Sequence, residues 1–489
     1  MRVYNAKYDA AYNTEDNSLV ANLLKYPEIA KKVIELYPRY TTTYLLEKLG
    51  FGAGEKVLGD NSFEWKAMGR YRQAQYVADT VDNSGGAKAA GTELNLNVKD
   101  GDGTHTCMIN PNDIIRFADG TQAKVNTVGA NVSDTHKVAN ITFINASTTT
   151  DFTAGDVIGV VGNAFGEGSD GSAVGEGYSY PETRKNWVTI SRKKLVIDAR
   201  DLTDVTWVEH NGHRLWFFTK EQQTEAQFMY DLEVMRWFGK ASIADYTATT
   251  AGSNPNTIDT DNLPTIGDGI LAQIDGANVF NYAADADITE AKITEFIGQL
   301  SLNAQSPTGN EYVVFTGTQG RIQFHRAMKD LLVASGAGGA AVLADKAGQD
   351  VALGSNFTTF YTLGNKLTLV HCPVFDDPNL ATAPGSAGGA TLAGTGSFQG
   401  ANLSGMMVFL DMTTQGGVAN IELVAKGAEG TNRNWVKKYV PGMINPYDGK
   451  SMLAASGNDK FECHWLTQSG IIVRNPLSCG IFKPVGVNI

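Results

Sequence analysis

Between about Thr92 and Gly162 the chain alternates, with Leu94 and Leu96, Ile114 and Ile115, Val125 and Val128, and Ile141 and Phe143 marking short apolar runs at strand spacing. Asp100-Gly101, Asp102-Gly103 and Asp119-Gly120 supply turns between the runs. Two pieces look alike, Asn112-Asp113-Ile114-Ile115-Arg116 and Gly155-Asp156-Val157-Ile158-Gly159. The pattern predicts a small antiparallel β-barrel over residues 93–165, inserted into a longer element. Length then sets how much else must fold: 489 residues exceed one compact core, so two to four structural units are expected.

The flanks of the alternating block read as the two legs of one long hairpin. Phe63-Glu64-Trp65 opens an extended segment before it, and after the glycine-rich return from Gly166 to Gly177 comes a strand-like stretch with Trp187, Ile190, Leu195 and Ile197. Ahead of both, Pro27, Ile29, Val33 and Leu36 suggest a helix stopped by Pro38, and a second runs from about Thr43 to Leu49. The clearest helix follows the second leg. Thr219-Lys220-Glu221-Gln222 reads as a capping box and Gly239 stands where a left-handed cap would end it. Its apolar positions, Phe228, Met229, Leu232, Met235, Trp237 and Phe238, spread over more than one face, which predicts cover on more than one side.

The second half alternates helix and strand. Asp287-Ile288-Thr289-Glu290 caps a helix with Ile293, Phe296, Ile297 and Leu300 on one stripe, Val313-Val314-Phe315 reads as a buried strand, and a helix follows around Ile322 to Leu332. Glycine- and alanine-rich tracts at Ser335–Ala341 and Pro384–Gly405 read as surface loops. Near the end, Phe461 to Trp465 and Ile471 to Val473 flank Thr467-Gln468-Ser469-Gly470, which reads as a hairpin.

Charge and composition narrow the function. The net charge of −12 argues against general affinity for nucleic acid or anionic membranes, and no apolar run is long enough to span a bilayer. Charged residues make up 19%, below the roughly 25% of an average soluble protein, so surface is left to bury against partners. The amino terminus is polar and acidic, without the pattern of an export signal, and the chain is expected to stay where it is made.

Signatures of chemistry are few in the chain. There is no G-x-S-x-G elbow, phosphate loop or H-E-x-x-H helix, so an enzyme is disfavoured and no catalytic residue is assigned. Gly394-Thr395-Gly396 lies in low-complexity sequence and supports no cofactor. The cysteines at 107, 372, 463 and 479 have no C-x-x-C spacing, which fits a reducing compartment. His371-Cys372 and Cys463-His464 could gather as zinc ligands, but each pair sits in an apolar strand and the structural reading is preferred, with no metal. His210 and His213 flank an Asn-Gly turn and read as exposed, while Asp100 and Asp102 lack the spacing of a calcium loop. The most distinctive charge feature is the basic stretch Arg184, Lys185, Arg192, Lys193 and Lys194. It reads either as a solvated strand edge or as a contact with acidic surface on a neighbouring copy. The long helix likewise reads either as buried within its own domain or as the carrier of assembly geometry.

The order of elements, amino-terminal arm, two-legged hairpin, long helix, alternating domain with glycine-rich loops and final hairpin, resembles a tailed-bacteriophage major capsid protein of the Hong Kong 97 type. Gly162-Asn163-Ala164, Glu167-Gly168-Ser169 and Arg184 to Leu195 look like the return leg of that family's extended loop, and Trp465 to Leu477 is similar to its closing strands. Phe63-Glu64-Trp65 and the inserted barrel look most like the capsid proteins of crAss-like phages.

The resemblance implies an α+β fold with an N-terminal arm (1–55), an extended loop and its base (56–92 and 166–200), the inserted β-barrel (93–165), a peripheral domain holding the spine helix (201–245 and 435–476) and an axial domain (246–434 and 477–489). It implies a shell of hexamers and pentamers enclosing double-stranded DNA without sequence-specific binding, located in the virion and assembled in the host bacterial cytoplasm. Its partners would be further copies of the chain, a portal protein, scaffolding, and head accessory or decoration proteins, with no membrane and no cofactor. Spine-helix packing falls to Met229, Leu232, Met235, Trp237 and Phe238, and intersubunit contact to Arg184, Lys185, Arg192, Lys193 and Lys194. Some relatives join subunits by a Lys–Asn isopeptide bond, and no such pair is identified here. Separate scaffolding is expected. Two other classes stay open: an encapsulin-like nanocompartment shell, and a β-rich adhesin or carbohydrate-active protein.

Overall fold

Strands that alternate this regularly can remove their exposed edges by closing on themselves. The computed structural model describes residues 45–46, 49, 56–59, 61–67, 75–78, 87–100, 109–133, 136–147, 154–168, 182–198, 216–241, 266–274, 276–282, 287–304, 309–334, 359–377, 380, 402–415, 418–428, 431–443 and 457–485. After β1 (Lys56–Leu58) and β2 (Ser62–Ala67) come the six strands of a closed barrel: β3 (Gln75–Val77), β4 (Glu93–Asp100), β5 (Asp113–Phe117), β6 (Gln122–Ser133), β7 (His136–Phe143) and β8 (Val157–Asn163). Their order round the barrel is β3-β4-β7-β6-β5-β8. Leu96, Val98, Ile115, Val125, Ile141 and Ile158 fill the interior, each fully buried. The two look-alike pieces become the antiparallel neighbours β5 and β8. Outside, Asn126 Nδ2 donates to Asn140 Oδ1 at 2.8 Å and Asn140 Nδ2 to Asn95 Oδ1 at 3.0 Å, a row of amides tying β6, β7 and β4 in register. The barrel begins at residue 75 rather than 93, because β3 is only three residues long and too short to show a period.

The barrel lies in one compact unit, residues 66–184, and residues 1–65 with 185–489 make the other. Strand β9 (Glu182–Trp187) leads from one unit into the other, and in the second unit β10 (Thr189–Asp198) precedes helix α1 (Trp216–Phe238). Then follow β11 (Val279–Tyr282), α2 (Glu290–Asn303), β12 (Glu311–Thr316), α3 (Thr318–Ala334), β13 (Thr359–Thr362), β14 (Asn365–His371), β15 (Met407–Asp411), β16 (Ile421–Ala428), β17 (Val436–Pro441), β18 (Lys460–Val473) and β19 (Gly480–Pro484). One sheet runs β1-β16-β18-β10, with β17 also on β18, and a mixed sheet runs β11-β19-β15-β12-β14-β13. One core joins α1 to both sheets through Leu195, Phe228, Leu232, Trp237, Phe315 and Trp465. A second core packs α2 and α3 against the mixed sheet through Ile293, Phe296, Phe324 and Phe409. Thr289 caps α2, its side chain accepting from the Lys292 amide, and the stripe Ile293, Phe296, Ile297 and Leu300 is buried as its spacing requires.

Four expectations are corrected. Residues 460–473 form one strand of 14 residues instead of a hairpin. Thr467, Gln468 and Ser469 are buried polar residues with partners: Arg236 Nη2 donates to the Ser469 carbonyl at 2.6 Å, Gln468 Nε2 to Asn61 Oδ1 at 3.1 Å, and Thr467 Oγ1 to the Asn434 carbonyl. Gly470 serves close packing, since a Cβ there would lie 3.0 Å from the Phe63 ring and from the Trp187 carbonyl. Helix α1 starts at Trp216, so the supposed capping box lies inside its first turns. Gly239 does end the helix, donating to Met235 O at 2.9 Å, yet its φ is not in the left-handed region. Its requirement is steric, because a Cβ would meet the Met235 carbonyl at 2.5 Å. Asn402–Gly405, read as the end of a surface loop, is a 3-10 turn with Leu403 and Ser404 buried. The helix at Pro27–Pro38, His210, His213, Asp102 and Gly394–Gly396 lie outside the described residues.

The barrel's closure makes a direct prediction. Residues 66–184 expressed alone should give a single cooperative thermal transition followed by circular dichroism. Residues 93–165, which lack β3, leave the barrel open and should melt without cooperativity; equal cooperative melting of both fragments would show that β3 is dispensable.

Candidate functional site

The basic stretch lies on and beside β10, and strand alternation divides it between two faces. Strand β10 pairs with β18 along its whole length, from Thr189 opposite Ser469 to Asp198 opposite Lys460, while β17 takes the other edge of β18 from Val436 opposite Leu466 to Pro441 opposite Phe461. Residues 191, 193, 195 and 197 face α1: Ser191 Oγ lies 3.6 Å from Met235 Sδ, and Lys193 Nζ 2.8 Å from Asp231 Oδ2. Residues 190, 192, 194 and 196 point the other way. There Ile190 is 46% and Val196 39% exposed, large values for apolar side chains in a sheet.

This outer face continues across β18 and β17. It carries Arg192, Lys194, Lys438 and Lys460 against Glu462 and Asp198, so it is net basic on a chain whose net charge is −12. Lys194 and Lys460 each hold a Glu462 oxygen at 2.8 Å, with His464 at 3.2 Å. Hydrogen bonds from Lys194 and Lys460 pull the Glu462 carboxyl down to about 2. Arg192 and Lys438 are exposed, and Arg192 makes no ion pair among the described residues. At one end Phe63 and Trp65 cover the same sheet by packing with Val188, Val424 and Ile472. Of the remaining basic residues, Lys185 pairs with Glu64 at 3.5 Å and lies over the Trp187 ring, and Arg184 is half-buried. Lys185, Lys193 and Lys194 therefore each have a carboxylate within their own chain, and Arg192 is the member left facing solvent.

The opposite face of the sheet is fixed to α1. Lys437 on β17 bridges Glu221 at 2.7 Å and Glu225 at 2.6 Å. Burial opposes its charge, but the two carboxylates outweigh that and hold the ammonium well above its usual range. Trp237 is fully buried, edge-on to Phe315 at 5.3 Å and Phe375 at 4.9 Å. Leu232 is buried, while Met229, Met235 and Phe238 are half-buried. Lys437 and Arg236 were not singled out from the sequence, and Glu221 and Glu462 were read only as members of a capping box and of a hairpin strand. Glu221 and Glu225 at i, i+4 hinted at a charged helix face, but nothing local connects them to a lysine more than two hundred residues away.

A second polar cluster gathers at the start of α3. Asp376 accepts from the Thr318 amide at 2.9 Å, from Thr318 Oγ1 at 2.7 Å and from Ser404, and lies 2.7 Å from His371 Nε2. Thr318 Oγ1 lies 3.2 Å from that same nitrogen. A nucleophile relay uses both imidazole nitrogens, one for the hydroxyl and one for the carboxylate, so this arrangement is a helix cap rather than a triad. Burial alone would raise the Asp376 carboxyl, but His371, Ser404 and Thr318 hold it below its usual range. Burial pushes the thiols of Cys463 and Cys479 up to about 12, which leaves them unreactive. His371-Cys372 and Cys463-His464 do not converge with other ligands, and no group able to hold a metal occurs among the described residues.

A family model described as the Crassvirus major capsid protein matches residues 13–485. No curated protein matches the chain. Similar solved structures include the cyanophage Pam1 capsid (12% identity, 67% of this chain and 83% of that chain, TM-score 0.36) and the cyanophage P-SCSP1u capsid (10%, 67% and 81%, TM-score 0.33). The holo-SrpI encapsulin complex from Synechococcus elongatus PCC 7942 is also similar (8%, 62% and 75%, TM-score 0.30). At these values the structural likeness does not discriminate between the two kinds of shell.

Two substitutions test the packing. Trp237→Ala should destabilise by about 3–5 kcal/mol, read by chemical denaturation, because it empties a fully enclosed site. Met235→Lys should cost less, since a half-buried position lets the ammonium reach water; the reverse ranking would contradict the burial described here. Asp376 makes a pH prediction. Its folded carboxyl ionises below the unfolded value of about 3.9, so its stabilisation is present above that pH and is lost as pH falls through the folded value. Asp376→Ala should lower stability by about 1–3 kcal/mol at pH 7, and the difference should narrow as pH falls below the ordinary carboxylate range, measured by urea unfolding across that range.

Proposed function

The chain belongs to the Crassvirus major capsid protein family, and from that premise we propose that it is a Hong Kong 97-type shell subunit that self-assembles into hexamers and pentamers around double-stranded DNA. The match over residues 13–485 carries the reading. A major capsid protein has a structural role, and its place is the virion. In the proposed mapping α1 is the spine helix, residues 56–92 and 166–200 form the extended loop with the barrel unit inserted in it, and the mixed sheet belongs to the axial domain. Portal, scaffolding and head accessory or decoration proteins are proposed partners, the barrel being an apt platform for the last, and assembly is proposed to take place in the host cytoplasm. The encapsulin alternative has no observation in its favour beyond weak structural likeness.

For assembly, we assign the docking role to the outer face of β10, β18 and β17. Identical acidic copies repel at long range, and a local basic and apolar face gives them an orientation in which to meet. Exposed pairs contribute only about 0–1 kcal/mol each, but a shell repeats every contact, so small terms accumulate. Arg192 and Lys438 are better placed for this than Lys193, which is held by Asp231.

Arg192→Glu combined with Lys438→Glu should leave the subunit melting temperature unchanged and slow particle formation, followed by light scattering and negative-stain imaging. Wild-type assembly should also slow as salt rises from 0.05 to about 0.5 M, because the screening length falls below about 10 Å. Wild-type kinetics in the double variant would return this face to the role of a solvated sheet surface.

A further inference from the structure

Glu233 lies on α1 with none of its surface exposed. Its Oε1 accepts from the Leu45 amide at 3.3 Å and sits 3.8 Å from Cys372 Sγ, while its Oε2 has no hydrogen-bond partner among the described residues. Leu45 and Leu46 are themselves buried, in the core that holds Phe228, Leu232 and Trp237. Three parts of the chain, the helical turn at 45–46, α1 and the segment after β14, thus meet at one carboxyl group. Among the described residues, the groups facing it are the amides of Leu45 and Leu46, the indole N–H of Trp237 and the Cys372 thiol; behind Cys372 stand Asp376, held by His371, and Asp377, which accepts from Tyr230. None of these supplies a lysine or arginine, so an ionised Glu233 would be a buried anion beside further carboxylates.

We propose that Glu233 is a proton-operated latch, which holds the segment at residues 45–46 against α1 while protonated and releases it when the proton leaves to water. Burial raises the Glu233 carboxyl to about 7, and the amides of Leu45 and Leu46 with the Trp237 N–H only partly offset this. The sign follows from linkage. A closed state that binds its proton more tightly than the open state is fully favoured below the ordinary carboxylate range and loses that advantage as pH rises through about 7. The 45–46 side is the one that yields. The segment after β14 is fixed to the sheet by Cys372 N to Thr316 O at 2.8 Å, while the turn at 45–46, with its own bond from Leu49 N to Leu45 O at 3.0 Å, meets α1 at the Glu233 carboxyl and through its two buried leucines. Cys372 reports on the same event, because its thiol is buried against Glu233 and held well above its usual range by burial and by that carboxyl.

Hydrogen exchange at the amides of Leu45 and Leu46, in the full chain and corrected for the intrinsic pH dependence of exchange, reads the latch directly. Between pH 6 and pH 8.5 their protection should fall at least tenfold relative to amides of β12, and an uncharged alkylating reagent should gain access to Cys372 over the same range. Glu233→Gln, which cannot ionise, should keep both closed throughout. Wild-type protection that does not change with pH overturns the proposal even if the Gln variant fails to fold, and a Gln variant that opens like wild type overturns it as well.

Discussion

Arg236 reaches from α1 into the middle of β18 and donates to both the carbonyl and the hydroxyl of Ser469, at 2.6 and 2.7 Å. A buried guanidinium tolerates no loose geometry, since a displaced one leaves donors without partners in a medium that cannot hydrate them. The contact therefore fixes where the helix crosses the strand. Everything else in that layer follows from β18, which is flanked along its length by β10 on one side and by β17 and β16 on the other. Within the polar run Thr467-Gln468-Ser469, Ser469 accepts this anchoring bond while Thr467 and Gln468 donate to Asn434 and Asn61, and the run's apparent turn chemistry is a by-product.

With the helix fixed, its two sides do different work. Trp237 enters an aromatic cluster with Phe315 and Phe375, which ties the helix to the mixed sheet, while Phe228 lies 5.7 Å from Trp435 and ties it to the other. Charged seams stay at the rim, where Lys437 meets Glu221 and Glu225 and Lys193 meets Asp231. The sheet's own inward charges are thereby spent within the subunit. What remains on its outer face, Arg192 and Lys438 with Ile190 and Val196, is available to another molecule, and a major capsid protein has many further copies of itself to meet.

Features set by local chemistry were legible in the sequence. The barrel's alternation, the Thr289 cap, the stripe of α2 and the many-sided apolar surface of α1 all depend on neighbours within a few residues, and the structure has each of them. Features set by distant partners were not. Thr467 to Gly470 looked like a turn because the partners that explain its polarity, Asn434 for Thr467, Asn61 for Gln468 and Arg236 for Ser469, all lie in distant parts of the chain. Gly239 looked like a left-handed cap because the atoms that crowd it, including the Gly267 carbonyl, belong to another segment. The basic stretch was visible as composition, but the division of its β10 members into Lys193, turned inward to Asp231, and the outward Arg192 and Lys194 needed the register of β10 against β18. Glu233 gave no signal, since a glutamate on a helix is ordinarily solvated.

On this reading the outer face of β10, β18 and β17 is covered when subunits assemble. Lysine acetylation footprinting of purified particles and dissociated subunits measures this directly. Lys438 and Lys460 should lose most of their reactivity on assembly while Lys292, on the exposed face of α2 and paired with Glu295, keeps its own. Equal reactivity of Lys438 and Lys460 in particles and free subunits would contradict it.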